Sequence, residues 1–182
     1  MTNNLDLEAR LHGTAHSEHP QELRLWLRLL TCTQLIEKQI RTELRVQFDT
    51  TLPRFDLMAQ LERNPDGLKM NDLSRRLMVS GGNVTGITDQ LVAEALVERV
   101  VVDGDRRSFR IKLTDKGRAS FAEMAVQHEN WIVEAFSGLK ATDIAALHKL
   151  LGQVKQHVTD TQSVTHSITQ NIIKNTENET AL

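Results

Sequence analysis

The sequence predicts a mainly α-helical fold with one small β-hairpin, and two patterns support that prediction. Apolar residues recur at spacings of three and four over most of residues 21–160, which is the period of a helix buried along one side. The exception is residues 97–113, where apolar and polar residues alternate on both sides of Asp103-Gly104-Asp105. Such alternation around a turn is typical of two paired strands. We therefore expect a set of helices with a single hairpin among them.

The composition excludes several classes of protein. With 182 residues the chain can form one domain with a core and an additional dimerisation layer. Its net charge of -2 argues against a protein that coats nucleic acid indiscriminately, although basic residues exceed acidic ones between Lys69 and Arg118. Cys32 is the single cysteine, so an internal disulfide is impossible. No signal-peptide or membrane-spanning stretch is evident, and we expect a cytoplasmic protein with no membrane partner.

The first half of the chain reads as an arm followed by two helices. Residues 1–20 are polar, and a strong helical pattern then runs from Gln21 to about Phe48. Its apolar row is wide enough to contact both a domain core and a second subunit, which we favour over a purely central helix. The row consists of Leu25, Leu29, Cys32, Ile36, Ile40 and Leu44. A second helix is expected near Leu52, with Pro53 in its first turn and cap oxygens from Asp49, Thr50 and Thr51.

Two further helices and the hairpin form the most informative stretch. A short helix over Met70–Met78 precedes Ser80, whose hydroxyl can cap the next helix. In that helix one face is apolar, and the opposite face is small and polar. The apolar positions are Val84, Ile87, Leu91 and Ala95, and the small polar positions are Gly81, Gly82, Asn83, Thr85, Gly86, Thr88 and Asp89. Glycines in a first turn weaken a helix by about 1 kcal/mol each relative to alanine, so close approach to another backbone is the expected reason for them.

Duplex DNA is the partner that fits this stretch. The major groove admits one helix whose first residues meet base edges, while amides and short hydroxyl side chains hold phosphates. A hairpin with arginines at its tip can then reach the adjacent minor groove. The stretch therefore predicts a winged helix-turn-helix, and an ordinary α+β domain with a solvated basic hairpin is the alternative. The expected DNA-binding residues are Arg75, Ser80, Gly81, Gly82, Asn83, Thr85, Thr88, Arg106 and Arg107.

The last third of the chain is expected to be helical. Thr114 can cap a long helix to about Phe136, and Thr142-Asp143 can begin another that lasts to about Thr159. Residues 161–182 are rich in Thr, Asn, Gln and Ser, with a thin apolar row. Such a tail is either disordered or a weak amphipathic helix.

The same central stretch resembles the MarR family of bacterial winged-helix repressors. The matching segments are Leu73-Ser74-Arg75-Arg76-Leu77, residues 79–87, Leu96-Val97-Glu98-Arg99, Asp105-Arg106-Arg107 and Leu113-Thr114-Asp115-Lys116-Gly117. The resemblance implies an obligate homodimer that binds a palindromic operator in double-stranded DNA. It also implies a small ligand held between the dimerisation layer and the winged domain. By the resemblance Arg107 enters the minor groove and Asp105 braces its neighbour.

The resemblance also fixes an expected domain organisation and one departure. A winged helix-turn-helix over 49–113 lies between two parts of a helical dimerisation region, 21–48 and 114–160. An arm over 1–20 and a polar tail over 161–182 flank them. The family usually has glycine where this chain has Ala95. Since alanine can extend a helix, we expect a local variation there, without a left-handed cap.

A narrower resemblance concerns the ligand. Residues 50–61 and 25–30 look like a subgroup that controls breakdown of aromatic acids, which implies release of DNA by an aromatic acid or its CoA thioester. Aromatic and apolar side chains could line a pocket, with an arginine meeting the carboxylate or phosphate. The candidates are Arg24, Trp26, Arg28, Phe48, Arg54, Phe55 and Met58. The alternative is that Trp26 and Phe55 simply belong to the core.

Other functions have weaker support. Some MarR relatives sense peroxides through a cysteine, but they use tyrosine hydroxyls that this chain lacks, and we expect Cys32 to be buried and unreactive. His12, His16 and His19 have helical spacing, yet they lie in the arm and no metal site is expected. No phosphate loop, nucleophile elbow or metal-binding His-Glu motif indicates an enzyme, so no catalytic residue or cofactor is assigned. A winged-helix module that binds protein instead of DNA remains as the second alternative.

Overall fold

A computed structural model describes the backbone of residues 20–102 and 105–180 and the side chains of residues 21–101 and 109–162. The chain divides into two compact units, Met1–Glu134 and Ala135–Leu182. The elements within the described ranges are α1 (Pro20–Phe48), α2 (Leu52–Glu62), α3 (Met70–Leu77), α4 (Gly81–Ala93), β1 (Val97–Val102), β2 (Asp105–Leu113), α5 (Asp115–Ala135) and α6 (Ala141–Thr180). This mostly helical structure with a two-stranded hairpin confirms the predicted fold class.

Helix α1 buries Leu27, Ile40 and Leu44 but leaves other large apolar side chains exposed. Ile40 and Leu44, four residues apart, lie in the core, whereas Leu25 and Trp26 expose 56% and 58% of their surfaces. Cys32 is also exposed, so the expectation that Cys32 is buried is wrong for the single chain. The first unit therefore leaves several apolar side chains of α1 exposed to solvent.

Helix α2 contributes three deeply buried side chains to the core of the first unit. Leu57, Met58 and Leu61 are at most 2% exposed, and Pro53 occupies the first turn, where its missing N–H has no helical partner. Thr51 stands at the N-cap position, but its side chain makes no cap hydrogen bond, unlike the expected arrangement. The helix is therefore held by burial and not by a capping side chain.

The β-hairpin is joined at its base to a short segment that precedes α3. Strands β1 and β2 pair in antiparallel register from Val97 opposite Leu113 to Val101 opposite Phe109, and the register then shifts by a bulge. Leu68 adds a bridge to Ile111, with N···O distances of 3.1 and 2.8 Å. Gly67 precedes it with φ of +80°, and a Cβ atom there would lie 2.7 Å from the Ile111 oxygen. This turn anchors the base of the hairpin to the helical core.

Helix α5 returns across the first unit and contributes an aromatic cluster. Trp131, 7% exposed, packs edge-on to Phe48 with ring centroids 6.3 Å apart. His128 lies 4.8 Å from the Phe55 ring and 6.5 Å from the Trp131 ring, measured between centroids. Burial lowers the pKa of His128 because desolvation disfavours the imidazolium form. The cluster joins α1, α2 and α5.

Helix α6, considered by itself, presents apolar side chains that its own unit leaves exposed. It runs to Thr180, so the backbone of the tail is helical through most of residues 161–182. The exposed apolar side chains are Ile144, Leu150, Leu151, Val154 and Val158. No helix in the described ranges has the length and apolar character needed to cross a membrane.

Candidate nucleic-acid interface

The turn between α3 and α4 determines where α4 begins. Met78 has φ of +54°, and its N–H donates to the Arg75 oxygen at 3.4 Å while the Val79 N–H donates to the Ser74 oxygen at 3.2 Å. Two such bonds around a left-handed residue end a helix in a Schellman motif. The Ser74 hydroxyl also donates to the Val79 oxygen at 2.6 Å. The chain thus reverses tightly and delivers Ser80 to the start of α4.

Helix α4 has the two faces that its sequence predicts. Ser80 is its N-cap and accepts a bond from the Asn83 N–H at 3.4 Å. Val84 and Leu91 are fully buried and Ile87 is 9% exposed. The first-turn residues on the other side are exposed, namely Gly81, Gly82, Asn83, Thr85 and Gly86. A small, polar helix start therefore faces away from the core.

Thr88 does not belong to this exposed face. Its side chain is fully buried, and its hydroxyl donates to the Val84 oxygen at 2.8 Å and lies 3.8 Å from the Met70 sulfur. The prediction that Thr88 contacts DNA is therefore wrong, because a residue four positions after Val84 shares its buried face. Thr85, by contrast, is exposed, with its hydroxyl donating to the Gly81 oxygen at 2.9 Å.

The predicted arginines fall into two groups. Arg75 on α3 is 77% exposed and forms an ion pair with Asp72. Arg106 and Arg107 belong to the backbone of β2, but their side chains, like that of Asp105, lie outside the described residues. The structure therefore places the two tip arginines on the hairpin without describing what they touch.

Arg99 joins the hairpin to α4. From β1, its guanidinium forms an ion pair with Asp89 on α4, and its Cζ lies 5.5 Å from the ring centroid of Phe109 on β2. Asp89 is on the exposed side of α4, where sequence reasoning expected a DNA-facing surface. One arginine thus links the helix to both strands of the hairpin.

The C-terminal end of α4 contradicts the expectation for Ala95. The helix ends at Ala93, and Ala95 has φ of +56°. Its N–H donates to the Val92 oxygen and the Leu96 N–H donates to the Leu91 oxygen, both at 2.9 Å. Alanine therefore does not extend the helix but adopts the left-handed cap that glycine usually supplies. The position of the cap is fixed by burial of Leu91 and Leu96 around it.

The start of α5 holds the same end of α4. The Thr114 hydroxyl donates to the Ala95 oxygen at 2.7 Å and accepts from the Gly117 N–H at 2.9 Å, so it also caps α5 as predicted. The Lys116 ammonium donates to the Glu94 oxygen at 2.9 Å. The segment Leu-Thr-Asp-Lys-Gly thus binds the end of α4 through hydrogen bonds to its last carbonyls.

A cavity of about 320 Å³ lies beside this end of α4. Arg54, 15% exposed, forms an ion pair with Glu94 there, and its Nε is buried without a hydrogen-bond partner. The lining residues are Phe48, Asp49, Thr50, Arg54, Met58, Glu94, Leu96, Lys116, Ser120 and Met124. The lining combines apolar side chains with two cations, Arg54 and Lys116, and two carboxylates, Asp49 and Glu94, so its formal charges balance.

Comparison with known proteins agrees with this geometry. Residues 48–108 match the MarR family model. The chain is 31% identical to a solved MarR family transcriptional regulator from Silicibacter pomeroyi, covering 79% of this chain and 99% of that one with a TM-score of 0.65. The chain belongs to the MarR family. Its relatives named here are transcriptional regulators and not enzymes, which confirms that expectation.

Two further proteins resemble this MarR-family chain. It is 33% identical over 109 residues to the transcriptional regulator PecS from Dickeya dadantii, covering 57% of this chain and 64% of PecS. The chain thus spans slightly less than two thirds of PecS. An Escherichia coli MarR mutant complexed with operator DNA has a TM-score of 0.65 at 23% identity, covering 76% of this chain and 99% of that one. That likeness concerns the fold.

The predicted ligand residues of this MarR-family chain do not form one site. Phe48, Arg54 and Met58 line the cavity, as expected. The other aromatic candidate on α2, Phe55, is packed against Phe121 and His128 in the core. Arg24, Trp26 and Arg28 are exposed on the first half of α1 and do not line the cavity. Trp26 is neither a core residue of its own unit nor a wall of this pocket.

Sequence reasoning missed several cavity residues in the family fold. Glu94, Lys116, Ser120 and Met124 line the cavity but come from the end of α4 and the first turns of α5. No local pattern marks them, because their proximity arises from the Thr114 and Lys116 contacts across the chain. His12, His16 and His19, considered for metal binding, lie outside the described residues.

Proposed function

We propose that the chain is a transcriptional regulator that binds duplex DNA through α4 and the hairpin. The observation that carries this proposal is the open space beside the glycines of α4. A Cβ atom on Gly81, Gly82 or Gly86 would meet no other atom of the described chain within 4 Å. The fold itself therefore does not require glycine there, although glycine weakens a helix by about 1 kcal/mol relative to alanine. Glycine at these positions is explained by a partner that approaches the helix backbone closely, as the walls of a DNA groove would.

We further propose a homodimer that binds a palindromic operator as two half-sites. Apolar side chains exposed on the first half of α1, and separately on α6, support a second chain as the partner that covers them. A two-fold dimer presents two copies of α4, and its symmetry matches that of a palindrome. The complex of an E. coli MarR mutant with operator DNA supports DNA binding by a protein of this fold.

Titration of a fluorescent duplex tests the DNA proposal. The duplex carries a palindrome from the region upstream of the chain's own gene, and anisotropy is followed at several salt concentrations. Affinity is expected to fall steeply with salt because phosphate contacts release counterions. Arg107→Ala should weaken binding and reduce the salt slope by about one, while Arg63→Ala, at the exposed end of α2, should not. Analytical ultracentrifugation should give a dimer for both variants.

Failure has a specific meaning in this experiment. If the folded dimer binds no palindromic duplex at low salt, the DNA proposal is wrong and the chain is a winged-helix protein-interaction module. If Arg107→Ala does not change the affinity for DNA, then either Arg106 makes the hairpin contact or the hairpin does not contact DNA.

We also propose that an aromatic acid, free or as its CoA thioester, occupies the cavity beside Arg54 and releases the DNA, which makes the chain a repressor. Phe48, Met58 and Met124 offer apolar contacts to a ring, and Arg54 and Lys116 offer cations to a carboxylate. The volume of about 320 Å³ suits a free aryl acid, or the aryl end of a thioester whose nucleotide extends outside. The buried, unpartnered Nε of Arg54 supports an additional acceptor at this point.

A thermal-shift panel of aryl acids and aryl-CoA thioesters tests the ligand. Bound ligand raises the unfolding temperature by mass action, and Trp131, packed on the cavity residue Phe48, should report the same event by fluorescence. Arg54→Gln should abolish the shift, whereas Arg63→Gln should preserve it. A flat response across the panel would remove the aromatic-acid assignment and leave the DNA proposal untouched.

A further inference from the structure

We propose a second ligand site, for a small molecule with two or more phosphate or carboxylate groups, in a groove between the outer face of α1 and the start of α2. The groove has a volume of about 560 Å³, within the range of small-molecule sites. The charged residues of its lining are Lys38, Arg41 and Arg45, with Glu37 as the one carboxylate. The groove and the cavity beside Arg54 share one lining residue, Thr50, so they are separate sites.

The three cations lie on one face of α1. Lys38, Arg41 and Arg45 are spaced by three and four residues, which stacks their side chains on successive turns. Like charges at these spacings repel and weaken a helix. In a chain with net charge -2, such a cluster is not explained by an overall basic composition. An anion in the groove would remove the repulsion.

Two of these cations are available to a ligand. Arg41 forms an ion pair with Glu37 and also interacts electrostatically with Asp56, which is half buried on α2. Within the part of the chain whose side chains are described, no carboxylate lies within ion-pair distance of Lys38 or Arg45. Arginine and lysine without carboxylate partners bind phosphate or carboxylate through charge-assisted hydrogen bonds.

The rest of the lining offers a hydroxyl group and apolar contacts to a small molecule. The Thr51 hydroxyl makes no cap hydrogen bond to α2 and is free to contact an anion, whereas the Thr42 hydroxyl already donates to the Lys38 oxygen at 3.0 Å. Val46, 75% exposed, and Leu52 add apolar contact at the edge. The basic residues line a groove whose volume of about 560 Å³ is in the range of small-molecule sites.

Isothermal titration calorimetry of the full-length chain with pyrophosphate, at constant ionic strength, tests the site. We expect one pyrophosphate per chain. The double variant Lys38→Gln with Arg45→Gln should weaken binding by about tenfold or more, since each removes a charge-assisted hydrogen bond. The matched control, Lys149→Gln with Lys155→Gln on the exposed surface of α6, loses the same charge and should bind as the wild type does. Circular dichroism verifies that both variants are folded.

Three outcomes would overturn the proposal. Pyrophosphate that does not bind at millimolar concentration excludes the site, and equal weakening by both double variants reduces it to general electrostatic attraction. If the Lys38/Arg45 variant loses affinity for an operator duplex while pyrophosphate does not bind the wild type, the groove contacts the DNA backbone instead. None of these results depends on whether the cavity beside Arg54 holds an aromatic acid.

Discussion

A Cβ atom placed on Gly117 would lie 1.9 Å from the carbonyl oxygen of Leu96. The first turn of α5 therefore rests directly on the backbone just after α4, and a hydrogen bond from the Thr114 N–H to the same oxygen, at 3.1 Å, holds it there. Glycine is required at the end of the Leu-Thr-Asp-Lys-Gly segment because the two backbones approach too closely for a side chain.

Gly117→Ala should lower the free energy of unfolding by about 3 kcal/mol, because the obstructing atom is a backbone oxygen that cannot move aside alone. Urea denaturation measures the change. Gly138→Ala is the control, since a Cβ atom there would meet no atom within 4 Å. Equal stability of the two variants would mean that α5 can shift away from Leu96 at little cost.

Ala95→Gly should raise the free energy of unfolding by about 1 kcal/mol. Ala95 adopts the left-handed region, where the Cβ atom of an L-residue raises the conformational energy by about 1 kcal/mol. Glycine has no Cβ atom and avoids this strain. The same substitution at Ala93, the last residue of α4, should destabilise the chain because glycine there only adds backbone entropy to the unfolded state. A loss of stability at Ala95 would show that the cap is not left-handed in solution.

Gly86→Ala should separate folding from DNA binding. Open space around the added methyl group predicts a gain in stability of about 0.5–1 kcal/mol, because alanine is the better helix former. Affinity for an operator duplex should fall, since the same methyl group keeps the helix from the groove. Gly152→Ala on α6 should give the gain in stability without the loss in affinity. Retained affinity in Gly86→Ala would contradict close backbone approach at this turn.

The stability of the first unit should decrease as pH falls below about 6.5, owing to His128. Its pKa is lowered in the folded state, so the unfolded chain binds the proton first and the stabilising contribution is complete only above the unfolded value of 6.5. Asp56 acts in the opposite sense at lower pH, because burial raises its pKa from 3.8. His128→Phe should keep the ring packing and flatten the dependence between about pH 7 and 5 in denaturation experiments. An unchanged slope would exclude His128 as the cause.

The buried and exposed faces of α4 could be predicted because both follow from the helical period of 3.6 residues. Val84, Ile87 and Leu91 are buried as their spacing indicates, and the same rule applied to Thr88 would have placed it beside Val84. Ala95 could not be predicted, since its conformation is imposed by Leu91 and Leu96 and not by its own preference. The apolar pattern of α1 indicates which face is buried. It does not indicate whether that face packs against the same chain or against another chain. The pattern alone therefore does not distinguish these two surroundings for Trp26.

Anchoring of α4 at one end has a geometrical consequence for its other end. The contacts of Glu94 and Ala95 with Arg54, Thr114 and Lys116 lie at the C-terminus, whereas the glycines lie at the N-terminus. A helix of 13 residues is about 20 Å long, so a rotation of roughly 5° about its anchored end displaces the first turn by roughly 1.7 Å. Hydrogen bonds tolerate about 0.5 Å. A small displacement of α4 beside the cavity is therefore amplified at the glycines of its first turn.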